Sequence, residues 1–190
     1  MGLFDILRGE RTPPPADLDA LFAISTAAPT LTVNLGLRPS GRAGVCFKPV
    51  QMAQFDAVLA DLDQLLAMDD AEQPITSRRV DDELGFTWLV LSCDDVPALV
   101  VATHTVNRTI QDAGFGTQLL CSVFGFQAAD GPVLLVYSYK RGRFYPFIPR
   151  GERRDSAAEL RLQASLEHEL PMEPELERWY PVWDAPVLQG

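Results

Sequence analysis

An α+β fold with an antiparallel sheet is what this sequence predicts, on three observations. Strand-like segments come in pairs joined by short polar turns. Single amphipathic helical stripes alternate with those pairs. The balance of 47% hydrophobic and 22% charged residues over 190 positions is that of a packed domain. Short turns between strands imply antiparallel pairing, which leaves the helices to pack on one face or end of the sheet. Residues 1–15 read as an N-terminal tail and Pro-rich linker. Residues 16–190 read as one domain whose Pro- and Trp-rich end folds back onto it.

In the tail, Leu3, Phe4, Ile6 and Leu7 make an apolar stripe of two turns, too short to be stable alone. Arg8, Arg11 and the stiff spacer Pro13-Pro14-Pro15 follow. Asp17 can cap a helix over 18–27 with Leu18, Leu21 and Phe22 inward. Thr30 to Leu37 reads as a strand, Pro39-Ser40-Gly41 as a turn, and Gly44 to Val50 as a second strand. A helix over 52–68 carries the stripe Met52, Phe55, Val58, Leu59, Leu62, Leu65 and Leu66.

Ile75 to Val80 and Phe86 to Ser92 are strands around the turn "DDELG". Asp94-Asp95-Val96-Pro97 starts the next helix, since an Asp caps and Pro is tolerated in the first turn. Its inner face is Val96, Leu99, Val100, Thr103, Val106 and Ile110, and Gly114 suits its end. Leu119 to Phe126 and Val133 to Tyr139 form a hairpin across "QAADGP". Arg143 to Ile148 is a further strand that Pro146 confines to an edge. Asp155 or Ser156 caps a last helix to Leu170, and Trp179, Tyr180 and Trp183 pack the end of the chain onto the domain.

Composition excludes several functions. No apolar run approaches the roughly 20 residues that cross a bilayer. The start has Asp5 and too short an apolar part for a secretory signal, which points to the cytoplasm. A formal net charge of −10 repels nucleic acid and anionic lipid, so contact with a polyanion has to be local. Cys46, Cys93 and Cys121 are far apart in sequence and show no zinc or redox spacing. Cys46 and Cys121 read as buried structural thiols. No metal or cofactor is implied.

No motif names a reaction. Asp69-Asp70, Asp81-Asp82 and Asp94-Asp95 lie at element boundaries, where Asp caps or turns the chain. "GFG" at 114–116 lacks the Lys and hydroxyl of a phosphate loop. His168, between Glu167 and Glu169, reads as surface, and His104 as a structural histidine on a helix edge. No catalytic residue is assigned; an enzyme using the Asp94/Asp95–His104 region is the alternative.

The segment "YKRGRFYPFIPRGERRD" holds six of the chain's 16 basic residues. Guanidinium groups grip carboxylate or phosphate at two points, and aromatics give rigid contact area. The segment therefore reads as a partner-binding site: Lys140, Arg141, Arg143, Arg150, Arg153 and Arg154 around Tyr145 and Phe147. Weak RNA binding through 139–154 is a further alternative, which the net charge disfavours. Pairing of these arginines with the chain's own surplus acids is the plainer reading.

The runs "LTVNLGLRPSGRAGVCFKPV", "HTVNRTIQDAGFGTQLLCSVFGF", "VYSYKRGRFYPFIPRGERRD" and "LERWYPVWDAP" resemble the PspA-associated PspAB family, over nearly the whole chain. The resemblance implies a non-enzymatic adaptor or chaperone-like accessory of a phage-shock envelope-stress response. Its partner would be a PspA-like coiled-coil protein or another envelope-stress protein. The tail stripe Leu3, Phe4, Ile6 and Leu7 reads first as a segment that docks on its own domain or frays, and alternatively as a hook for peripheral contact with the inner face of the membrane or for a partner. The segment order also resembles type III secretion chaperones and YbjN-like proteins.

Overall fold

The structure, a computed structural model, describes residues 17–50, 52–67 and 74–189. Its centre is a six-stranded antiparallel sheet in the order β2-β3-β1-β4-β5-β6. The strands are β1 (Arg38–Phe47), β2 (Thr76–Asp81), β3 (Thr87–Ser92), β4 (Leu119–Ala128), β5 (Gly131–Ser138) and β6 (Arg143–Phe147). A two-stranded ribbon, β7 (Pro149–Arg150) and β8 (Arg153–Arg154), follows. The helices are α1 (Ala23–Pro29), α2 (Ala53–Ala67), α3 (Val96–Ile110) and α4 (Ser156–Leu166). The α+β prediction holds.

Helices cover one face. Leu99, Val100, Val106 and Ile110 of α3 share a buried core with Leu91, Leu135 and Tyr137 of the sheet. Asp95 caps α3 by accepting from the Ala98 amide at 2.9 Å, as the sequence suggested, and Asp155 caps α4 in the same way at 3.0 Å. The stripe of α2 is narrower than predicted. Phe55, Leu59, Leu62 and Leu66 are buried, but Met52 and Leu65 stay half exposed because α2 crosses the edge of the core.

The other face is covered by irregular chain. Residues 173–189 lie across Trp88, Val90, Val123, Leu134 and Val136 and bury Trp179, Ala185 and Val187 there. Two glycines make room for this strap. A Cβ on Gly44 or on Gly125 would stand 2.9 Å from a methyl of Val187. The sheet is therefore buried on both faces, which explains the long apolar runs in β3, β4 and β5.

Two readings between residues 30 and 50 are corrected. Thr30–Asn34 is a wide helical turn that continues α1, not a strand. Its β-branched residues look strand-like, yet Leu31 is fully buried from this turn. Pro39-Ser40-Gly41 is not a hairpin turn. It is a bulge within β1, where residues 40–42 oppose Gly125 alone and Gly41 takes a φ of +71°. Asp17 does not cap a helix with its side chain; its carbonyl accepts the Tyr137 hydroxyl instead. The tail stripe Leu3, Phe4, Ile6 and Leu7 and the acids Asp69-Asp70 lie outside the described residues.

The free side of β6 is not left bare. Phe144 donates to the Pro171 carbonyl at 2.9 Å and accepts from Glu173 at 2.7 Å, so residues 171–173 run parallel to it.

Candidate functional site

The basic segment does not form one patch. Lys140 and Arg141 sit in the turn between β5 and β6, closed by the Arg141 and Gly142 amides on the Ser138 carbonyl at 3.1 and 2.8 Å. Both side chains are exposed. Arg143 starts β6 and donates to the Met172 carbonyl at 3.1 Å. The strand then carries the chain about 13 Å to Phe147 at roughly 3.3 Å per residue. Only beyond that point do Arg150, Arg153 and Arg154 follow.

Two of those three serve the fold. Arg150 pairs with Asp130 at 2.8 Å and donates to the Pro149 and Pro132 carbonyls. The Arg150 guanidinium holds the Asp130 carboxyl below the usual carboxylate range. What this pair adds to stability is thus present above that range and is lost as pH falls through the folded value. Arg154 is bound to Glu159 through Nε, at 3.1 and 2.8 Å to the two carboxylate oxygens. Arg153 is exposed.

The aromatic half of the predicted site is corrected outright. Tyr145 is 3% exposed and Phe147 is fully buried, both beneath the strap. Tyr145 stacks on Trp179 with ring centres 6.3 Å apart and donates to the Tyr180 carbonyl at 3.1 Å. Phe147 meets Trp183 edge-on at 4.9 Å. Burial pushes the Tyr145 phenol well above its ordinary range. These rings hold the strap and are not exposed on the surface.

The alternative catalytic group is not assembled. Asp95 is engaged as a helix cap, and His104 lies about 13 Å further along α3 at 1.5 Å per residue. The imidazole of His104 faces Asp19 at 3.3 Å and leans on Phe22 with ring centres 4.8 Å apart. Asp19 itself is largely in solvent. His168 is exposed, beside Glu167. Asp82 organises the β2–β3 turn, accepting from the Leu84 and Phe86 amides and from the Trp88 indole. Among the described residues, no group of three or more His, Cys, Asp or Glu is placed to hold a metal ion.

A buried polar cluster escaped the sequence reading. Asn107 donates to Ser122 at 3.0 Å and to the Thr103 carbonyl at 2.8 Å, and Ser122 bonds the Tyr139 hydroxyl. Burial raises the Tyr139 phenol well above its ordinary range. The cluster ties α3 to β4 and to the end of β5. Its signal was present: Asn107 falls on the inner face of α3, between Val106 and Ile110.

The cysteines also came closer than their spacing suggested. Cys46 and Cys121 are direct cross-strand partners in β1 and β4. Cys46 is 3% exposed, whereas Cys121 is only half-buried, which corrects the expectation for the latter. The hydrogen bond that the Cys46 thiol donates to Cys121, and then burial, push that thiol far above its ordinary range. A thiol reagent at neutral pH is therefore expected to modify Cys121 before Cys46, since thiolate is the reactive form. Mass mapping of partially labelled protein checks this, and first modification at Cys46 would contradict it.

Against known proteins, the family described as PspA associated protein B matches residues 1–187. The chain belongs to this PspAB family. The description links the family to PspA and is consistent with an accessory role. No curated protein and no solved structure gives a match. Among the described residues, no helix is long and apolar enough to cross a membrane.

Proposed function

We propose that this chain is a non-enzymatic accessory protein of a PspA-type envelope-stress response that works by binding a protein partner. Membership of the PspAB family carries the reading, because association with PspA is what that family is described by. The docking surface on this reading is the β5–β6 turn, with Lys140, Arg141 and Arg143. Two features support it. Lys140 and Arg141 are exposed on a turn fixed by backbone bonds. Neither forms an ion pair among the described residues, although the chain carries 26 acidic side chains. The partner surface that fits is a carboxylate-bearing one, such as an acidic helix face of a coiled coil. Peripheral membrane contact through Leu3, Phe4, Ile6 and Leu7 belongs to the same proposal.

The test is binding to a PspA-type coiled-coil protein from the same cell. Reversing Lys140 and Arg141 together to Glu is expected to weaken it about tenfold, chiefly through slower association at low salt. Exposed charges on a turn carry little stability, so the melting temperature should hold. Unchanged affinity in that double variant would remove the turn from the interface.

A further inference from the structure

We propose that a polar cleft at the β2 end of the sheet, remote from the β5–β6 turn, is a binding site for a phosphoryl group. The cleft has a volume of about 350 Å³ and is lined by Arg42, Arg78, Thr76, Ser77, Ser92 and Gln189 above Val90. Register places its groups. Arg42 of β1 is the partner of Ser92 of β3, and Ser92 is the partner of Thr76 of β2, so all three project from the same face. One step along that face, Gly44, Val90 and Arg78 form the next row. Val90 fixes which face this is, because it belongs to the cluster beneath the strap. The cleft therefore opens where the strap ends.

The two arginines flank the hydroxyls from opposite sides. Their α-carbons lie two strand spacings and two residues apart, about 12 Å at roughly 4.8 Å per spacing and 3.4 Å per residue. That separation lets two extended guanidinium groups meet one tetrahedral anion over Ser92. Arg42 is steadied by donating to the Gln189 carbonyl at the end of the strap. Ser77 is otherwise engaged, its hydroxyl donating to Asp63 at 2.8 Å on the helix side. Thr76 and Ser92 thus supply the free hydroxyl donors.

The local charge also favours an anion. Among the described residues, no carboxylate lines the cleft. Asp94, two residues beyond Ser92, packs against Gly41 and pairs with neither arginine. In a chain with 26 acidic and 16 basic side chains, two arginines facing hydroxyls without an acid between them form a local reversal of sign. Planar guanidinium groups match the oxygens of a phosphoryl group at two points, and hydroxyls complete its hydrogen bonds. The ligand class is a phosphate monoester or diester, supplied either by a soluble phosphate compound or by an anionic lipid headgroup.

The experiment uses the full chain and two probes, inorganic phosphate and vesicles of phosphatidylglycerol in phosphatidylcholine. Phosphate is expected to bind and to raise the melting temperature. Arg42→Ala and Arg78→Ala should each weaken that binding at least tenfold, and Thr76→Val about threefold. Arg78 is exposed and enters no ion pair among the described residues, so Arg78→Ala should melt close to the wild type without phosphate and decides the matter if Arg42→Ala loosens the strap. Vesicle binding that phosphate displaces and that Arg78→Ala abolishes identifies the lipid headgroup as the source. Phosphate binding with no such vesicle binding identifies a soluble phosphate compound. No phosphate binding at tens of millimolar, or binding untouched by both arginine substitutions, overturns the site. The proposed partner turn lies at the other end of the sheet, so neither result bears on the Lys140/Arg141 test.

Discussion

Trp179→Ala is expected to lower the stability of the folded chain by about 3–5 kcal/mol, the usual cost of truncating a large buried aromatic. At roughly 2–4 °C per kcal/mol for a chain of this length, melting should fall by about 6–20 °C. The reason is the position of this one ring in the strap. Trp179 is 5% exposed and lies flat against Tyr145. Its indole donates to the Glu173 carbonyl at 3.0 Å, and its own carbonyl accepts from Arg154 at 2.8 Å. Truncation removes the stack, the indole bond and the cover over Tyr145 in one step. The loosened strap would then uncover Trp88, Val90, Val123 and Leu134, an apolar sheet face that solvent does not tolerate. Urea unfolding and thermal melting of Trp179→Ala against the wild type measure this. The neighbour Tyr180 is 65% exposed, and Tyr180→Ala should change stability by under about 0.5 kcal/mol. A loss under 1 kcal/mol for Trp179→Ala would mean that the strap does not hold the second face.

The contrast between Trp179 and Tyr180 marks what the sequence made legible. Periodicity located α2, α3 and the β4–β5 hairpin within a few residues, because each has one apolar period and clear punctuation. Asp95, Asp155 and Asp82 were legible as caps and turn formers, because a carboxylate at an element boundary has few other tasks. Aromatic content implied that the end of the chain packs back. It carries no information on where, so the sequence makes Tyr145 and Phe147 look like a docking patch although the strap lies on them. The run "TLTVN" was misread because β-branching favours strands only weakly, and burial of Leu31 outweighs it here. The cross-strand row of Arg42, Ser92 and Thr76 was invisible, since register between distant strands is set by the whole sheet and not by local spacing.

Adjacent arginines in β8 should give opposite results. Arg154→Ala is expected to cost about 3–5 kcal/mol, because it strands a buried carboxylate. Arg153→Ala should stay within about 0.5 kcal/mol of the wild type. The Glu159 side chain is 2% exposed and also accepts the Ile148 amide at 2.9 Å. Arg154 is its cationic partner, and that guanidinium further lies 5.5 Å from the centre of the Phe147 ring. Glu159 shares the inward face of α4 with Leu162 and Leu166, three and seven residues on, so this buried acid was readable from helical spacing. The plainer sequence reading, in which these arginines pair with the chain's own acids, thus applies to Arg154 and Arg150. Arg153 remains in solvent. Replacing the pair together, as Arg154→Met with Glu159→Met, should recover much of the single-variant loss, since no charge is then left buried. Denaturant unfolding of the wild type, Arg154→Met, Glu159→Met and the double variant forms a closed cycle that separates the interaction from packing. Equal costs for Arg153→Ala and Arg154→Ala, or a double variant as unstable as the sum of its parts, would show that the Arg154–Glu159 pair does not hold the β7–β8 ribbon to α4.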